Sequence, residues 1–286
     1  MTVQEAYKQL MYGLYALYSD REAAIIADMV VEKVTGFRKI DRIMNKHVPL
    51  NREQEYLFNS YSGKLLQHKP VQYVLQEAWF CGLQFYVDER VLIPRPETAE
   101  LAEWIIKDYR LEATGTIKIL DIGTGSGCIP IVLKKELPAA EVHALDISAG
   151  ALEVAQLNAG NLGAEIELHL ADILNPETTA SLPVFDIIVS NPPYITRSEM
   201  QQMHANVLAF EPHTALFVPD DDALLFYAAI IAFAKNHLKK GGALYVEINE
   251  SLGDAVRKLF EDADYQQVAT MKDLQGKDRM VKVSLL

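Results

Sequence analysis

A glycine-rich loop between a predicted strand and a predicted helix is the feature that most constrains the fold of this chain. Residues 116–121 predict a short strand, and Gly123, Gly125 and Gly127 follow it, ahead of a helical stretch that ends near Pro138. Glycine allows a sharp turn and a close approach of the backbone to a ligand, and a helix N-terminus presents unpaired N–H groups. The order of strand, loop and helix therefore predicts an α/β fold with a ligand at the loop.

Polar residues end the next three predicted strands. The segments and their polar ends are 141–146 with Asp146, 166–172 with Asp172, and 184–189 with Asn191 shortly after it. In an open α/β sheet a ligand binds at the carboxyl ends of the strands, and an acid after the second strand accepts hydrogen bonds from ribose hydroxyls. An Asp at a strand end is also a common N-cap, so the prediction of a nucleoside site depends on all these features together.

Two common phosphate-binding motifs do not fit this loop. Cys128 stands where a dinucleotide-binding loop has its third glycine, and the lysine that ends a P-loop is missing. A ligand that carries ribose and adenine but no phosphate fits the pattern better. S-adenosylmethionine is such a ligand, and we expect it to be the cofactor.

The segment Asn191-Pro192-Pro193-Tyr194 follows a buried strand that the prolines cannot continue, because they have no N–H for a ladder. The proline after Asn191 favours an extended backbone there. The proline carbonyls are acceptors beside an aromatic ring, which suits a planar –NH2 group with two hydrogens to bond. The alternative is a proline turn that merely ends a strand.

Composition restricts the class of partner and the compartment. The 286 residues carry 27 Lys and Arg against 39 Asp and Glu, a net charge of −12, which disfavours binding to nucleic acid through its phosphates. Cys81 and Cys128 are isolated, so neither a disulfide framework nor a metal-binding spacing is predicted. No apolar run is long enough to span a membrane, and the N-terminus lacks the apolar core of a signal peptide. We expect a soluble cytoplasmic protein.

The chain changes character near residue 69. Before it, apolar residues such as Leu10, Leu14 and Leu17 recur three and four apart, which predicts about four short helices, with a capping box at Ser19. After it, alternation over residues 78–87 predicts a hairpin. The predicted domains are a helical substrate-docking domain over residues 1–68, a linker hairpin over 69–90, and a larger α/β domain over 91–286.

The last third of the chain completes the predicted sheet. Residues 223–238 predict a helix that Lys239-Lys-Gly-Gly242 terminates, and residues 243–248 predict a fifth strand. Two further strands meet at Gln275-Gly276, which predicts an antiparallel hairpin at the edge of the sheet. We therefore predict a seven-stranded, doubly wound α/β domain preceded by a small all-helical domain.

Arg95 lies between Pro94 and Pro96 in a segment that is predicted to be extended. One interpretation is a plain entrance to a helix over residues 99–109, with Thr98 as its N-cap. The other places Arg95 near the active site.

Several motifs together resemble those of the HemK-like release-factor glutamine methyltransferases. The motifs are Pro94-Arg-Pro-Glu-Thr98, Leu120-Asp-Ile-Gly-Thr-Gly-Ser-Gly127, Ser190-Asn-Pro-Pro-Tyr194, Glu211-Pro212 and Lys272-Asp-Leu-Gln-Gly-Lys-Asp-Arg279. The resemblance covers about residues 70–286 and implies a class I S-adenosylmethionine-dependent methyltransferase domain. Gln76 and Ala99 depart from the family pattern, and both lie outside the Asn-Pro-Pro-Tyr segment.

The resemblance implies methyl transfer to the side-chain nitrogen of the glutamine in the Gly-Gly-Gln loop of class I peptide chain release factors, with S-adenosylhomocysteine as the product. By the same resemblance Asp146 binds the ribose, Asp172 and Ile173 frame the adenine, Arg95 lies near the cofactor, and Asn191 contacts both cofactor and substrate. The residues implied beside the methionine part of the cofactor are Gly123, Thr124, Gly125, Ser126 and Gly127. Those implied for the glutamine pocket are Asn191, Pro192, Pro193, Tyr194 and Glu211, with Asn191, Pro192 and Tyr194 as the catalytic set.

No metal and no enzyme nucleophile are expected, because two acceptors can orient the glutamine amide and stabilise the charge that develops on its nitrogen. Two other functions share these features. One is an amino-methyltransferase that acts on adenine or cytosine of nucleic acid, and the other is a nucleotide-binding or scaffold protein that transfers no group. The net charge argues against the first, and the Asn-Pro-Pro-Tyr segment argues against the second.

Overall fold

The computed structural model of the protein describes residues 1–110 and 116–285, apart from the side chain of Gln202. These residues form two compact units. The helical unit contains Met1–Glu77 and His204–Phe210, and the sheet unit contains the described residues of Ala78–Met203 and Glu211–Leu286. No helix in the described ranges is long and apolar enough to cross a bilayer.

Short amphipathic helices build the helical unit. They are α1 (Val3–Leu14), α2 (Asp20–Thr35), α3 (Lys39–Met44), α4 (Arg52–Leu65), α5 (Val71–Leu75) and α10 (Ala205–Phe210). The three-and-four spacing buries Leu10, Leu14, Val30 and Phe58 in one apolar core, as the sequence pattern predicts. The division into residues 1–68, 69–90 and 91–286 stays a prediction.

The ends of α2 differ in part from the prediction. Ser19 caps the helix by accepting a bond from the Glu22 N–H, and Gly36 ends it at φ 74°. A capping box also needs a bond from the backbone N–H of Ser19 to the Glu22 side chain, and that bond is not among the hydrogen bonds at the start of α2. Complete capping boxes begin α1 at Thr2 and α4 at Asn51.

A seven-stranded sheet forms the centre of the larger unit, as predicted. Its strands are β3 (Lys118–Ile122), β4 (Glu141–Asp146), β5 (Glu167–Leu170), β6 (Phe185–Ser190), β9 (Leu238–Glu247), β10 (Gln266–Lys272) and β11 (Asp278–Ser284). Their order across the sheet is β10, β11, β9, β6, β3, β4, β5. The pairs from β9 to β5 are parallel, and β11 pairs antiparallel with both β9 and β10. The predicted hairpin at Gly276 is therefore confirmed.

Helices cover both faces of this sheet and bury its central strands on both sides, whereas the outermost strands β5 and β10 are largely exposed. The helices are α6 (Pro96–Tyr109), α7 (Cys128–Glu136), α8 (Ala149–Leu162), α9 (Pro176–Thr179), α11 (Leu225–His237) and α12 (Gly253–Asp262). Successive residues of β3 show the alternation: Ile119 belongs to the core that contains Ile105 of α6, and Leu120 belongs to the core that contains Ile230 of α11. This is the doubly wound arrangement that the sequence predicts.

Two small sheets complete the unit. β1 (Ala78–Phe80) pairs antiparallel with β2 (Leu83–Phe85), which is the predicted hairpin. β7 (Ile195–Thr196) pairs in parallel with β8 (Phe217–Val218), directly after the Asn-Pro-Pro-Tyr segment.

Two predicted boundaries were wrong. Lys239-Lys-Gly-Gly242 was expected to terminate a helix, but α11 ends at His237 and these residues lie within β9. The pairing of β9 with β6 is irregular there, and a Cβ on Gly242 would lie 2.8 Å from the Asp186 carbonyl oxygen, so only glycine fits. Thr98 was considered as an N-cap, but α6 begins at Pro96 with Arg95 as its extended N-cap. A proline at the first helical position loses no intrahelical bond.

Candidate active site

A cavity of about 320 Å³ lies at the carboxyl ends of the central parallel strands. Most of the predicted cofactor residues line it, which are Arg95, Gly123, Thr124, Gly125, Ser126, Asp146, Asp172, Ile173 and Asn191. Pro192 and Pro193 of the predicted substrate pocket line the same cavity. Residues that are distant in the chain thus meet at one edge of the sheet, where open α/β folds bind their ligands.

The glycine loop is held against the neighbouring strand by its backbone. The N–H groups of Gly123 and Thr124 both donate to the Leu145 carbonyl oxygen, at 2.9 and 3.0 Å. Gly123, Gly125 and Gly127 have φ of 76°, 53° and 78°, a region that favours glycine. Gly127 is not among the described residues that line the cavity. It is the N-cap of α7 and packs closely on Ala155.

Asp146 holds the glycine loop as well as facing the cavity. Its carboxylate accepts the Gly125 N–H at 2.9 Å and the Ser148 N–H at 2.9 Å. Burial raises the pKa of this carboxyl from its ordinary value, while the bonds from Ser148 and Gly125 lower it. Each carboxylate oxygen can accept more than one bond, so the group can also accept bonds from ligand hydroxyls.

Asp121 is a buried carboxylate directly ahead of the glycine loop. No group among the described residues makes a hydrogen bond of normal geometry to the Asp121 carboxylate or to the Thr124 hydroxyl, although Thr124 lies close enough to lower the pKa of Asp121. Burial raises the pKa of Asp121 to about 7. Asp121 is not among the described residues that line the cavity, whereas Thr124 is. The unpaired Thr124 hydroxyl fits a ligand that supplies a polar group at this end of the cavity, as the methionine part of S-adenosylmethionine does. The sequence analysis did not single out Asp121.

The sequence pattern predicts Asp172 as the last residue of a strand over residues 166–172. In the structure β5 ends at Leu170, and Asp172 lies two residues beyond it. One of its carboxylate oxygens accepts the Leu174 N–H at 2.9 Å, which folds the chain so that Asp172, Ile173 and Leu174 all line the cavity. A carboxylate next to apolar side chains can bond a polar edge of a flat ligand whose face packs on those side chains.

The Asn-Pro-Pro-Tyr segment, residues 191–194, divides between cavity and core. Asn191, Pro192 and Pro193 line the cavity, immediately after Ser190, whose hydroxyl donates to the Ile122 carbonyl oxygen at 2.8 Å. Tyr194 is not among the described lining residues. Its ring packs on the core of the sheet unit, and its hydroxyl donates to Glu247 at 3.0 Å. Burial raises the pKa of Tyr194, so the hydroxyl stays protonated as a donor.

Two successive hydrogen bonds connect Asn191 to the Glu247 carboxylate. Asn191 Nδ2 donates to Thr98 Oγ1 at 3.0 Å, and Thr98 Oγ1 donates to Glu247 Oε2 at 2.7 Å. Thr98 and Glu247 are both buried, in α6 and at the end of β9. Sequence reasoning missed both as functional candidates. The signal for Glu247 was an acid at the end of a strand, the same signal that led to Asp146.

Arg95 and Glu211 are joined by an ion pair. Arg95 Nη2 and Glu211 Oε1 are 2.6 Å apart, and the other Glu211 oxygen accepts the Ile93 N–H at 3.2 Å. Glu211 is buried and is absent from the described lining residues, whereas Arg95 lines the cavity. Glu211 therefore supports the segment that carries Arg95.

One group of side chains in residues 1–110 and 116–285 has the composition of a metal site, namely His143, Glu167 and His169. It lies on β4 and β5, and none of its three residues is among the described residues that line the cavity. His143 Nδ1 and His169 Nε2 are 3.0 Å apart and share a hydrogen bond, and His143 Nε2 is bonded to Glu141 at 2.9 Å. The two nitrogens that would bind a metal are bonded to each other, so we assign the group to the structure of the sheet.

Chemically, the cavity combines carboxylates and backbone turns on one side with the oxygen-rich Asn191-Pro192-Pro193 on the other. Asn191 engages Thr98 through its nitrogen, so Oδ1 is the atom with which it can accept a bond from a ligand. The arrangement suits the orientation of a donor such as an –NH2 group.

Comparisons with known proteins agree with this geometry. The model of the methyltransferase small domain matches residues 107–216, and that of the PrmC N-terminal domain matches residues 13–75. The Thermus thermophilus 16S rRNA N2 G1207 methyltransferase, solved with AdoMet and guanosine, is similar in fold, with a TM-score of 0.53 and 18% identity. That alignment covers 73% of this chain and 50% of the other.

Relatives of similar length are much closer in sequence. The release factor glutamine methyltransferase of Flavobacterium psychrophilum is 41% identical over 285 residues, which are 99% of this chain and 99% of the relative. That of Bacteroides thetaiotaomicron is 40% identical over 269 residues, covering 94% and 95% of the two chains. The chain belongs to the family of release factor glutamine methyltransferases.

Proposed function

We propose that this protein transfers the methyl group of S-adenosylmethionine to the side-chain amide nitrogen of the glutamine in the Gly-Gly-Gln motif of class I peptide chain release factors. The observation that carries the proposal is that Asn191, Pro192 and Pro193 line the same cavity as the glycine loop and Asp146. Family membership supports this substrate, and the net charge of −12 supports a protein rather than a nucleic acid. A release factor substrate also implies a cytoplasmic enzyme.

The cofactor half of the cavity is proposed to bind S-adenosylmethionine. In this proposal Asp146 accepts bonds from the ribose, Asp172 and Ile173 border the adenine, and residues 123–126 border the methionine part, with Arg95 nearby. Gly127 shapes the turn into α7 and does not contact the cofactor. The bond from Gly125 to Asp146 supports it, because the same carboxylate then fixes the loop and the sugar. When bound, the cofactor supplies an electrophilic methyl group on a sulfonium.

The substrate half is proposed to orient the glutamine amide. An amide nitrogen is a poor nucleophile because its lone pair is delocalised into the carbonyl group. Asn191 Oδ1 and the Pro192 carbonyl oxygen accept its two N–H bonds and direct the nitrogen toward the methyl group. These acceptors bind more strongly as positive charge grows on the nitrogen, which stabilises the transition state. The N–CH3 bond replaces the S–CH3 bond, S-adenosylhomocysteine leaves, and the nitrogen loses one of its two protons to solvent, so the pathway needs no metal.

Tyr194 and Glu211 act in this proposal by supporting the pocket. The hydroxyl of Tyr194 is bonded to Glu247, and Glu211 is paired with Arg95. Both contacts hold segments that line the cavity, so their loss is expected to alter the position of Asn191 or Arg95.

The helical unit is proposed to dock the release factor. Large apolar side chains are exposed on this unit, among them Ile40 and Met44 of α3, which are 76% and 79% exposed. Ile40 and Met44 are four positions apart and are therefore neighbours on one face of α3. Adjacent exposed apolar side chains are typical of a surface that binds another protein.

Two substitutions at Asn191 test the proposed transfer. Asn191→Ala removes an acceptor and leaves a glutamine N–H unpaired, so we expect a loss of about 10²-fold or more in rate, as for oxyanion-hole deletions. Asn191→Asp keeps an acceptor and should retain more activity than the alanine variant. The measurement is single-turnover methylation of a release factor at saturating cofactor.

Calorimetric titration of the same variants with S-adenosylmethionine is the control, because the glycine loop and Asp146 are unchanged. Near-normal transfer by Asn191→Ala would mean that the segment is only a proline turn. Methylation of nucleic acid but not of release factor by the unaltered protein would contradict the substrate assignment.

A further inference from the structure

A buried carboxylate decides which end of the Asn191 amide points into the cavity. A hydroxyl group has one hydrogen, and an ionised carboxylate can only accept. The Thr98 hydrogen therefore goes to Glu247, and Thr98 meets Asn191 with a lone pair. Asn191 must present its NH2 group to Thr98, and its oxygen is directed to the other side.

Without the hydrogen bonds from Asn191 through Thr98 to Glu247, the Asn191 side-chain amide would have no preferred orientation. The terminal torsion of asparagine is broad and roughly two-fold, so oxygen and nitrogen exchange places at little cost. A reversed Asn191 amide would meet the N–H of a substrate amide with its own N–H, donor against donor. Because Thr98 donates its hydrogen to Glu247, it can only accept from Asn191, and the reversed orientation of the Asn191 amide is therefore disfavoured.

The same carboxylate also holds the far end of the segment. Tyr194 donates to Glu247 Oε1 while Thr98 donates to Oε2, so one side chain bonds toward both ends of Asn-Pro-Pro-Tyr. The register of the sheet explains the placement, because Ser190 of β6 pairs with Val246 of β9, which brings the next residues of both strands together. The two prolines between these anchors have a fixed φ.

We infer that Glu247, acting through Thr98, is a positioning residue that keeps the Asn191 oxygen turned toward the substrate glutamine. The inference rests on the proposed function and deepens it. It assigns the orientation of the acceptor to two residues outside the Asn-Pro-Pro-Tyr segment.

The charges around Glu247 make the arrangement sensitive to pH. Burial raises the pKa of Glu247 to about 7, whereas the hydrogen bonds from Thr98 and Tyr194 and the charge of Arg279 lower it, and Glu97 raises it. Once protonated, the carboxyl has an O–H that needs an acceptor, and the oxygens already in contact with it are the Thr98 and Tyr194 hydroxyls. Donation to either one reverses that hydrogen bond. Reversal at Thr98 would turn the Asn191 amide.

Thr98→Val tests the inference, because valine has nearly the shape of threonine and lacks the hydroxyl. We expect the single-turnover rate on release factor to fall by about tenfold or more, since an orienting hydrogen bond is lost at the reacting group. The affinity for S-adenosylmethionine should change less than the rate. Thr98→Ser keeps the hydroxyl and should transfer faster than the valine variant. Thr179→Val, at another buried threonine in α9, controls for the change of side chain itself.

Glu247→Gln gives a second readout that does not depend on folding of the valine variant. The transfer rate of the unaltered protein at saturating cofactor should fall as the pH decreases through about 7. The glutamine variant should show a smaller decline, because it has no proton to gain at position 247 and only groups such as Asp121 still titrate in this range. Equal rates for Thr98→Val and Thr98→Ser, or an unchanged acid decline in Glu247→Gln, would overturn the inference while leaving the proposed function intact. No transfer by the unaltered protein would overturn the proposed function itself.

Discussion

At the scale of single residues, one carboxyl group directly ahead of the glycine loop is buried where its ionised form is disfavoured. Asp121 is fully buried, and burial raises its pKa to about 7 although the neighbouring Thr124 hydroxyl lowers it. A folded-state pKa above the unfolded value means that the fold prefers the neutral acid. The stability contributed by this group is present at low pH and is lost as the pH rises through about 7.

Asp121→Asn should therefore stabilise the protein without cofactor, and more so at high pH. Between pH 5 and pH 8 we expect the gain in the free energy of unfolding to grow by on the order of 1–3 kcal/mol, because the variant has no charge to bury. Urea unfolding at the two pH values measures it, with the exposed Asp221→Asn as control. A gain that is the same at both pH values would show that Asp121 does not titrate in this range.

At the scale of elements, the glycine loop and α7 depend on two different properties of glycine. Gly123 and Gly127 both have φ near 77°, at 76° and 78°. A Cβ on Gly123 would meet nothing within 4 Å, whereas a Cβ on Gly127 would lie 3.1 Å from the Ala155 Cβ and 3.2 Å from Ile131. Gly123 is required by conformation alone, and Gly127 by conformation and packing.

Gly127→Ala should consequently destabilise the protein more than Gly123→Ala. Both variants incur the cost of a left-handed residue, about 1–2 kcal/mol. The contact of α7 with α8 adds overpacking of about 1–3 kcal/mol for Gly127 only. Chemical denaturation of the two alanine variants provides the comparison, and each serves as the matched control of the other. Equal losses would mean that α8 moves to accommodate the methyl group.

Strand and helix patterns in the sequence were sufficient to predict most elements of the sheet unit, but not the start of β9. The succession of strands along the chain, the glycine loop and the terminal hairpin were predictable because each depends on local periodicity and on turn residues. The irregular start of β9 was not, because residues 239–242 lie between the paired positions Leu238 and Ala243 and depend on contacts with distant parts of the chain. Lys239 is bonded to Asp186, and the Gly242 carbonyl oxygen accepts the Leu285 N–H. The sequence pattern Lys-Lys-Gly-Gly by itself is typical of the end of a helix.

At the scale of the whole molecule, the two units have separate cores and separate proposed tasks. The described residues that line the cavity all belong to the sheet unit. The docking role proposed for the helical unit can therefore be tested without altering the cavity.

Met44→Glu should weaken recognition of the release factor and leave the chemistry unchanged. The side chain is 79% exposed, so the variant should fold normally, while a charge on the proposed docking surface opposes apolar contact. We expect an increase of several-fold in the KM for whole release factor, an unchanged kcat, and unchanged affinity for S-adenosylmethionine. Leu157→Glu, on an exposed position of α8, is the control. An unchanged KM would remove this part of α3 from the docking surface.

The sequence by itself determined the α/β architecture and the edge of the sheet at which the candidate site lies. Parallel strands end at one edge, so Asp146, Asp172 and Asn191 had to meet there once their segments were recognised as strands and strand ends. Only the tertiary structure decided which side chains form the hydrogen bonds that hold these residues in place. Thr98 and Glu247 are 149 positions apart in the chain and bond because a helix and a strand end pack together. Direction and burial of a hydrogen bond are properties of that packing, which local sequence patterns do not contain.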